Sequence, residues 1–430
     1  MRKCASLQDW LEWQESLHNT AIDLGLERIR AVAERLGILS FSMPVMTVAG
    51  TNGKGSTVTL LSSMLRAANY TVGTYTSPHI LRYNERVAVN ALPVSDEQLV
   101  RAFEAIEAVR GNTSLTYFEF GTLAAMWIFL QAKVDVIVLE VGLGGRLDAT
   151  NLWDADVAAV SSVDLDHVDW LGNSREQIAY EKASIARAGK VLVSGDPEPP
   201  ASILTTAQSI GAEVLQYAVD FQASLHGAYF DVQVAASSQA AAKQWQNLPL
   251  PTLRGDMQWR NAAVAVVMLH QLQAVLPQVD QQAIAQGLSE AVLPGRLQKV
   301  QSRPDVWLDV AHNPQAARIL GDWLASNPVQ GKTWAIFSIL VDKDLLGVVK
   351  PLKSQVAGWL IFPLDSPRAC PVERVQAVLQ AEDCTVDSVH ANAVQAWQAV
   401  QARLQPDDRV VIFGSFLVVS SLLADFFAIN

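Results

Sequence analysis

A glycine-rich loop with a single lysine follows an apolar run near the start of the chain. The stretch reads MTVAGTNGKGST over residues 46–57 and fits a strand, a tight turn and the start of a helix. Backbone N–H groups and the positive end of the helix dipole would point to one place, where Lys54 adds a full charge. The pattern predicts a phosphate-binding loop, although the usual P-loop would have Gly at 48 and Ser or Thr at 55, where this chain has Val48 and Gly55. A glycine turn with a solvated lysine remains the alternative.

Acidic residues follow two further strand-like runs. Glu140 ends the run VIVLE, and a buried carboxylate is costly unless it meets a cation, so Mg²⁺ beside the phosphates explains it economically. A buried salt bridge is the alternative. The run SSVDLDHVDWLG presents a second cluster: Asp164, Asp166, His167 and Asp169. This cluster should share a sheet edge with Lys54 and Glu140, and metal ligation and a structural histidine stay equally open.

Other candidate residues carry weaker signals by themselves. Ser77 lies in an X-Pro turn after a strand, and Lys182 lies on a helix, where a solvated lysine is the ordinary interpretation. Asp309 and His312 end a strand of the second half, before a helix that could be capped or could contact an anion. The glycines after Glu140 do not form a dinucleotide fingerprint, because Leu147 stands where the last glycine is required, which excludes nicotinamide binding.

Composition excludes several classes of protein. The chain has 430 residues, of which 50% are hydrophobic and 17% charged, so it should fold into two or three domains with buried cores. The formal charge of −11 opposes nucleic-acid binding. Three cysteines form neither a disulfide framework nor a zinc site, and the polar start is no signal peptide. Residues 410–429 are apolar but interrupted, which favours a strand, a turn and a packed helix over a membrane span.

Strand and helix patterns alternate along the chain, which predicts an α/β fold with a mostly parallel sheet and ligands at the carboxyl ends of its strands. Strands are expected at 45–49, 134–141, 157–163, 190–195, 306–311, 333–340, 358–364 and 409–415. Helices are expected from Ser95 to Gly111 and from Ser174 to Gly189. Alternation over 212–236 predicts an antiparallel addition at the sheet edge. Domains are expected at 1–291 and 299–430, joined by a linker at 292–298 that contains Pro294 and Gly295.

Several motifs, taken together, resemble one family. AGTNGKGST, SPHILRYNERV, LTYFEFGTLAA, LEVGLGGRLDATN, LDHVDWLG, EKASI, LPGRLQ, LDVAHNP, DKD and GSF occur in the order found in the folylpolyglutamate synthase and dihydrofolate synthase family of Mur-type ligases. The resemblance spans almost the whole chain and is weakest between about 200 and 250. It implies an N-terminal P-loop ATPase domain with a mostly parallel sheet, a linker, and a smaller Rossmann-like C-terminal domain. The sequence departs from the family at FSILVDKD and at LRGDMQWRNAA.

The resemblance also implies roles for individual residues. ATP would be bound by Thr51, Asn52, Gly53, Lys54, Gly55, Ser56, Asn261, Arg296 and Asp309. Two Mg²⁺ ions would be held by Ser77, Glu140, His167 and, once carbamylated, Lys182. The catalytic set would be Lys54, Glu140, His167, Lys182 and His312. The pterin would contact Ile22, Asp23 and Leu24, then Thr116, Tyr117, Phe118 and Glu119, then Leu147, Asp148 and Ala149.

The reaction implied is ATP-dependent addition of L-glutamate to dihydropteroate, and of further glutamates to folates, through an acyl phosphate. The enzyme is expected to be a cytoplasmic monomer that binds only small molecules, with no nucleic-acid or membrane partner. A folylpolyglutamate synthase without the first activity and another Mur-type amino-acid ligase are the nearest alternatives. A nucleotide switch or transport ATPase is a rival of a different class, although no Asn-Lys-x-Asp guanine motif is present.

Overall fold

The computed structural model describes residues 4–426, which fall into two compact units. The first unit contains residues 4–164, 168–252 and 259–291, and the second contains residues 165–167, 253–258 and 292–426. The expected linker, 292–298, is therefore grouped with the second unit. Two short segments that precede residue 291, 165–167 and 253–258, are grouped there as well.

The helices and strands up to residue 291 are, in order, as follows. The helices are α1 (Leu7–Leu17), α2 (Glu27–Leu36), α3 (Lys54–Ala67), α4 (Asp96–Arg110), α5 (Tyr117–Ala132), α6 (Val168–Leu171), α7 (Arg175–Ala183), α8 (Ala201–Ile210), α9 (Gln258–Gln271) and α10 (Gln281–Glu290). The strands are β1 (Val45–Ala49), β2 (Val72–Tyr75), β3 (Val87–Val89), β4 (Leu92–Pro93), β5 (Val136–Glu140), β6 (Val157–Val160), β7 (Val191–Ser194), β8 (Glu213–Gln216), β9 (Phe221–His226), β10 (Tyr229–Val234) and β11 (Lys243–Pro249). Short 3₁₀ helices span Tyr83–Arg86 and Ala149–Leu152.

The main sheet of the first unit has eight strands in the order β4-β3-β2-β5-β1-β6-β7-β8. Six neighbouring strands, from β2 to β8 across this order, run parallel, and β3 and β4 add an antiparallel edge. Every residue of β1, β5 and β6 is buried, as expected for strands covered on both faces. The prediction of a mostly parallel α/β sheet is therefore confirmed.

The predicted antiparallel addition at the sheet edge over 212–236 is correct in strand direction for β9 and β10 only, and it is wrong in placement. Only β8 joins the main sheet, and it does so in parallel, whereas β9, β10 and β11 form a separate three-stranded antiparallel sheet. The alternating pattern gives β10 one buried face, with Phe230, Val232 and Val234 inward. Trp245 and Leu248 of the paired strand β11 are buried as well.

Helix starts were easier to predict than helix ends. Helix α4 begins at a capping box of Ser95 and Gln98 and stops at Gly111, as expected. Helix α7 begins after Ser174 but ends at Ala183, so the predicted end at Gly189 is wrong. The chain turns early there and Arg187 then binds the carbonyl oxygen of Asn151 at 2.8 Å, a contact that the sequence pattern does not show.

The second unit has a six-stranded sheet in the order β12-β13-β17-β14-β15-β16. Its strands are β12 (Gln298–Gln301), β13 (Asp305–Leu308), β14 (Thr333–Phe337), β15 (Gly358–Ile361), β16 (Val386–Val389) and β17 (Arg409–Phe413). Its helices are α11 (Pro314–Ser326), α12 (Leu345–Val349), α13 (Val372–Ala381), α14 (Ala393–Gln401) and α15 (Phe416–Phe426). All pairs are parallel except β12 with β13.

The apolar stretch from residue 410 forms the end of β17 and helix α15, as predicted, and residues 427–429 of that prediction lie outside the described residues. Within residues 4–426, no helix combines the length and the apolar character needed to cross a membrane.

Candidate functional site

The glycine loop lies between β1 and α3, at the carboxyl end of the central strand. Gly53 takes a left-handed conformation with φ 86°, and a side chain there would meet the Oδ1 atom of Asn261 at 2.7 Å. No side chain caps the first turn of α3, whose N–H groups belong to the loop end of the helix. Such an uncapped start, with a lysine as its first residue, is suited to binding an anion.

The segment that follows β6, the strand next to β1, holds this loop in place. The Thr51 hydroxyl donates to the carbonyl of Asp164 at 3.0 Å, and its backbone N–H donates to the carbonyl of Ser162 at 2.8 Å. The Ser162 hydroxyl accepts from the N–H of Asn52 at 3.1 Å. These contacts fix the loop before any ligand arrives, which reduces the entropy lost on binding.

Two lysines point to the same backbone oxygen. Nζ of Lys54 donates to the carbonyl of Gly50 at 2.9 Å, and Nζ of Lys182 donates to it at 3.0 Å. Lys182 is only 5% exposed, so the ordinary interpretation of a solvated helix lysine is wrong. The structure thus brings two positive charges to the glycine loop.

Glu140 and Ser77 lie at neighbouring strand ends of the same sheet. Val48 of β1 is in register with Glu140, which is 5% exposed and accepts from the backbone N–H of Ser77 at 3.1 Å. Across residues 4–426, no three histidines, cysteines or acidic residues cluster closely enough to hold a metal ion. The hard oxygen donors of Ser77 and Glu140 nevertheless suit Mg²⁺, which takes few protein ligands and completes its shell with water and phosphate.

His167 belongs to a short segment that is grouped with the second unit. It has a left-handed φ of 52°, and its side chain is 38% exposed with Nε2 3.9 Å from Asp166. Asp166 accepts from Nζ of Lys343 at 2.7 Å and from the side-chain amide of Asn313 at 3.2 Å. Burial alone would raise the pKa of Asp166, but the charges of His167, Lys343 and His312 hold it well below its usual range.

The remaining second-unit candidates surround the end of β13. Asp309 accepts from the N–H groups of Leu297 at 2.8 Å and Ala311 at 2.7 Å, and burial raises its pKa. His312 lies 2.7 Å from the Val310 carbonyl through Nδ1, and desolvation, with help from the Lys343 charge, lowers its pKa to about 4. A neutral imidazole with its proton on Nδ1 follows, which leaves Nε2 able to accept a hydrogen bond.

Arg296 precedes these residues in the chain. Its guanidinium lies 5.1 Å from the ring centre of Phe416 and donates to the carbonyl of Gly295 at 3.3 Å. A guanidinium beside an aromatic ring gains a cation–π contact, and its planar fork suits bidentate binding of a phosphate or carboxylate.

Two of the three expected pterin segments meet at Gly142. The Phe118 ring lies where a side chain at Gly142 would be, at 2.5 Å from the ideal Cβ. Asp148 is 2% exposed, accepts from Leu143 and from both donors of Thr150, and its pKa is raised by burial. Leu147 and Ala149 are its neighbours in sequence. Because Phe118 packs against Gly142 and the next residue, Leu143, donates to Asp148, an aromatic ring and a buried carboxylate lie close together.

The third segment is tied to the start of α5 by Arg28. Asp23, between Ile22 and Leu24, lies 2.7 Å from Arg28, whose other nitrogen lies 3.3 Å from Glu119. Glu119 is buried and completes a capping box with Thr116. The carboxylates of Asp23 and Glu119 therefore share one partner, Arg28, within the protein.

Sequence reasoning missed Arg28 and gave no role to Lys343, although it quoted the DKD motif that contains it. Arg28 had no signal, because Glu119 is distant in sequence and its pair with Asp23, five residues away, has no helical i,i+3 or i,i+4 spacing. Lys343 did have a sequence signal, because it lies between two aspartates shortly after a predicted strand.

Comparisons with known proteins agree on one family. Residues 48–269 match the model "Mur ligase middle domain", and residues 295–416 match "Mur ligase, glutamate ligase domain". A dihydrofolate synthase/folylpolyglutamate synthase of Escherichia coli K12 is 45% identical over 417 residues, covering 97% of this chain and 94% of the relative.

Solved structures match over the whole length as well. E. coli FolC in complex with DHPP and ADP has a TM-score of 0.91 and 43% identity, covering 98% of this chain and 97% of that one. A bifunctional folylpolyglutamate synthase/dihydrofolate synthase with Mn, AMPPNP and L-glutamate bound has a TM-score of 0.88 and 42% identity, covering 98% of both chains.

Proposed function

The chain belongs to the dihydrofolate synthase/folylpolyglutamate synthase family of Mur ligases, and we propose that its glycine loop, buried lysines and pterin-facing residues carry out that family's reaction. The protein is an ADP-forming ligase that joins L-glutamate to dihydropteroate and adds further glutamates to folates. It uses ATP and a divalent metal ion.

The observation that carries this proposal is the uncapped start of α3 beside two lysines. Nζ of Lys54 and Nζ of Lys182 both contact the Gly50 carbonyl at the uncapped start of α3, and together with the helix N–H groups they would neutralise the ATP phosphates. We assign Thr51, Asn52, Gly53, Gly55 and Ser56 to the same phosphates.

The proposed reaction has two steps. An oxygen of the acceptor carboxylate attacks the γ-phosphorus, and the bond to the bridging oxygen breaks, which gives an acyl phosphate and ADP. The glutamate amine then attacks the acyl carbon, loses a proton, and expels inorganic phosphate. Lys54 would stabilise the charge that spreads over the transferred phosphoryl oxygens.

We propose Mg²⁺ as the metal, with two ions held by Ser77, Glu140 and His167 and by a carbamate on Lys182. Bound there, the ions would offset the negative charge of the phosphates. What supports this is that Glu140 and Ser77 lie at neighbouring strand ends and offer the hard oxygen ligands that Mg²⁺ prefers.

The remaining nucleotide-binding residues are proposed from the family resemblance. We assign Asn261, Arg296 and Asp309 to the adenine nucleotide and His312 to the phosphates, with domains at 1–291 and 299–430 and a linker at 292–298. The acceptor's pterin would stack on Phe118 and bond Asp148, with the other residues of the three segments around it. A cytoplasmic monomer that binds no nucleic acid is the expected form.

The test is amide formation from ATP, L-glutamate and dihydropteroate or tetrahydrofolate, read by product mass. Lys54→Ala should lower turnover by about 10²- to 10³-fold at saturating ATP, because a charge contact to the transferred group is lost. Arg66→Ala is the matched control, since this exposed residue lies at the other end of α3.

Full turnover by Lys54→Ala would contradict the role of the loop. The intermediate is tested separately with an acceptor whose carboxylate carries ¹⁸O. An acyl phosphate requires one labelled oxygen to leave in the inorganic phosphate, and unlabelled phosphate would refute this step.

A further inference from the structure

Arg86 lies at the end of the segment SPHILRYNERV, in which only Ser77 has been given a role. Its guanidinium lies 5.5 Å from the ring centre of Tyr83 and 5.6 Å from that of Tyr117, and the two rings pack edge to face. Nε of Arg86 donates to Nδ1 of His79 at 2.8 Å. Two aromatic rings and an imidazole therefore hold this cation in a fixed position.

The partly buried Arg86 has no acidic partner among residues 4–426. The neighbouring Glu85 is already occupied, because its carboxylate accepts from the backbone N–H groups of Ile80, Leu81 and Arg82. By contrast, Arg82 is 69% exposed and pairs with Asp96. A fixed, partly desolvated cation without a carboxylate is unfavourable by itself, and an anionic ligand would compensate for it.

Arg86 lies near residues assigned to the metal on one side and near residues assigned to the pterin on the other. Its carbonyl accepts from the N–H of Thr76, the residue before Ser77, at 2.9 Å. On the other side, Tyr117 immediately precedes Phe118, whose ring packs 5.7 Å from that of Tyr75 at the end of β2. Arg86 therefore lies between the residues assigned to the metal and those assigned to the pterin.

The two acceptors, dihydropteroate and a folate, differ in the number of carboxylates near their reacting end. Dihydropteroate carries one carboxylate, which reacts. A folate carries its reacting γ-carboxylate and also an α-carboxylate, which lies between the aminobenzoyl group and the reacting end. A group that binds only the α-carboxylate would serve the second reaction and not the first.

We propose that Arg86, held by Tyr83, Tyr117 and His79, binds the non-reacting α-carboxylate of a folate acceptor and so directs the γ-carboxylate to the nucleotide. This proposal rests on the proposed function and adds a specificity determinant to it. The planar guanidinium can form two parallel hydrogen bonds with a carboxylate, a geometry that a lysine does not provide.

The test compares Arg86→Gln with wild type on tetrahydrofolate and on dihydropteroate, with saturating ATP and L-glutamate. Loss of a charge-assisted contact should raise the KM for tetrahydrofolate about 10- to 100-fold. The KM for dihydropteroate should change less than about twofold, because no contact is lost. Arg82→Gln is the matched control and should change neither value, and Arg86→Lys should restore only part of the loss.

A substrate analogue supplies a second measurement that needs no variant. Tetrahydrofolate with its α-carboxylate converted to the carboxamide should show a raised KM with wild type and little further loss with Arg86→Gln. Equal losses on both acceptors, or no loss on tetrahydrofolate, would overturn the proposal. If Arg86→Gln does not fold, equal wild-type KM values for tetrahydrofolate and its amide would overturn it. Wild-type protein that glutamylates neither acceptor would instead contradict the proposed function.

Discussion

Replacing Gly53 with alanine should damage the glycine loop in two separable ways. A left-handed φ of 86° costs an alanine about 1–2 kcal/mol relative to glycine. The new Cβ would also lie 2.7 Å from Oδ1 of Asn261, closer than real contacts allow, so this buried amide must move. Disturbing a buried polar group costs about 1–3 kcal/mol more. The expected loss of stability in the first unit is therefore about 2–5 kcal/mol.

Urea unfolding followed by tryptophan fluorescence measures this loss, and Gly37→Ala separates its two parts. Gly37 has a similar φ of 69°, but no atom lies within 4 Å of its ideal Cβ. The substitution Gly37→Ala should therefore lower the free energy of unfolding only by the conformational share, about 1–2 kcal/mol. Combining Gly53→Ala with Asn261→Ala should recover the steric share, because the amide that blocks the Cβ is gone.

Activity gives an independent measurement of the same contact. Gly53→Ala should raise the KM for ATP, since the loop and Asn261 are displaced together, whereas Gly37→Ala should leave it unchanged. The reasoning is refuted if Gly53→Ala and Gly37→Ala lose equal stability, or if the double variant shows no coupling.

Two further substitutions test contacts that the sequence did not reveal. Arg28→Ala should cost about 1–3 kcal/mol and raise the KM for dihydropteroate, because it leaves Glu119 buried without its cation, while Arg30→Ala on the exposed face of α2 should change neither. Lys343→Met should destabilise the second unit by about 3–5 kcal/mol, because side chains only 6% and 11% exposed form its pair with Asp166, and adding Asp166→Asn should restore part of the loss. Urea midpoints of the single and double variants measure both effects, and an unchanged midpoint in either single variant would contradict the corresponding contact.

The parallel sheet and the glycine loop could be predicted because their signals are local. Continuous apolar runs bounded by turns mark β1, β5 and β6, and the glycines after β1 require a tight turn whatever lies around them. The carboxyl ends of parallel strands share one edge, so Glu140 could be placed beside the loop from sequence alone. The family and its reaction followed from the order of the motifs and are confirmed.

Features that depend on distant partners could not be predicted. Periodicity shows that β10 has one apolar face, but it does not show which layer covers that face. Lys182 looks solvated in a helical pattern, yet it is buried because its helix packs beside the turn at Gly50. The site assignments that came from the family resemblance remain predictions until the variants above are measured.

The two lysines on Gly50 give a physical reason to expect a negative charge at the loop. Both ammonium groups lie within 3.0 Å of one carbonyl oxygen, so they are at most about 6 Å apart. At an effective dielectric constant of 20 their repulsion is about 3 kcal/mol or more. Lys54 also donates to the carbonyl of Thr51 at 3.2 Å, and either a bound polyphosphate or conversion of Lys182 to an anionic carbamate would lower the repulsion between the two ammonium groups. The two remedies are compatible, because a carbamate would leave Lys54 facing the phosphates and give a metal ion an additional oxygen ligand.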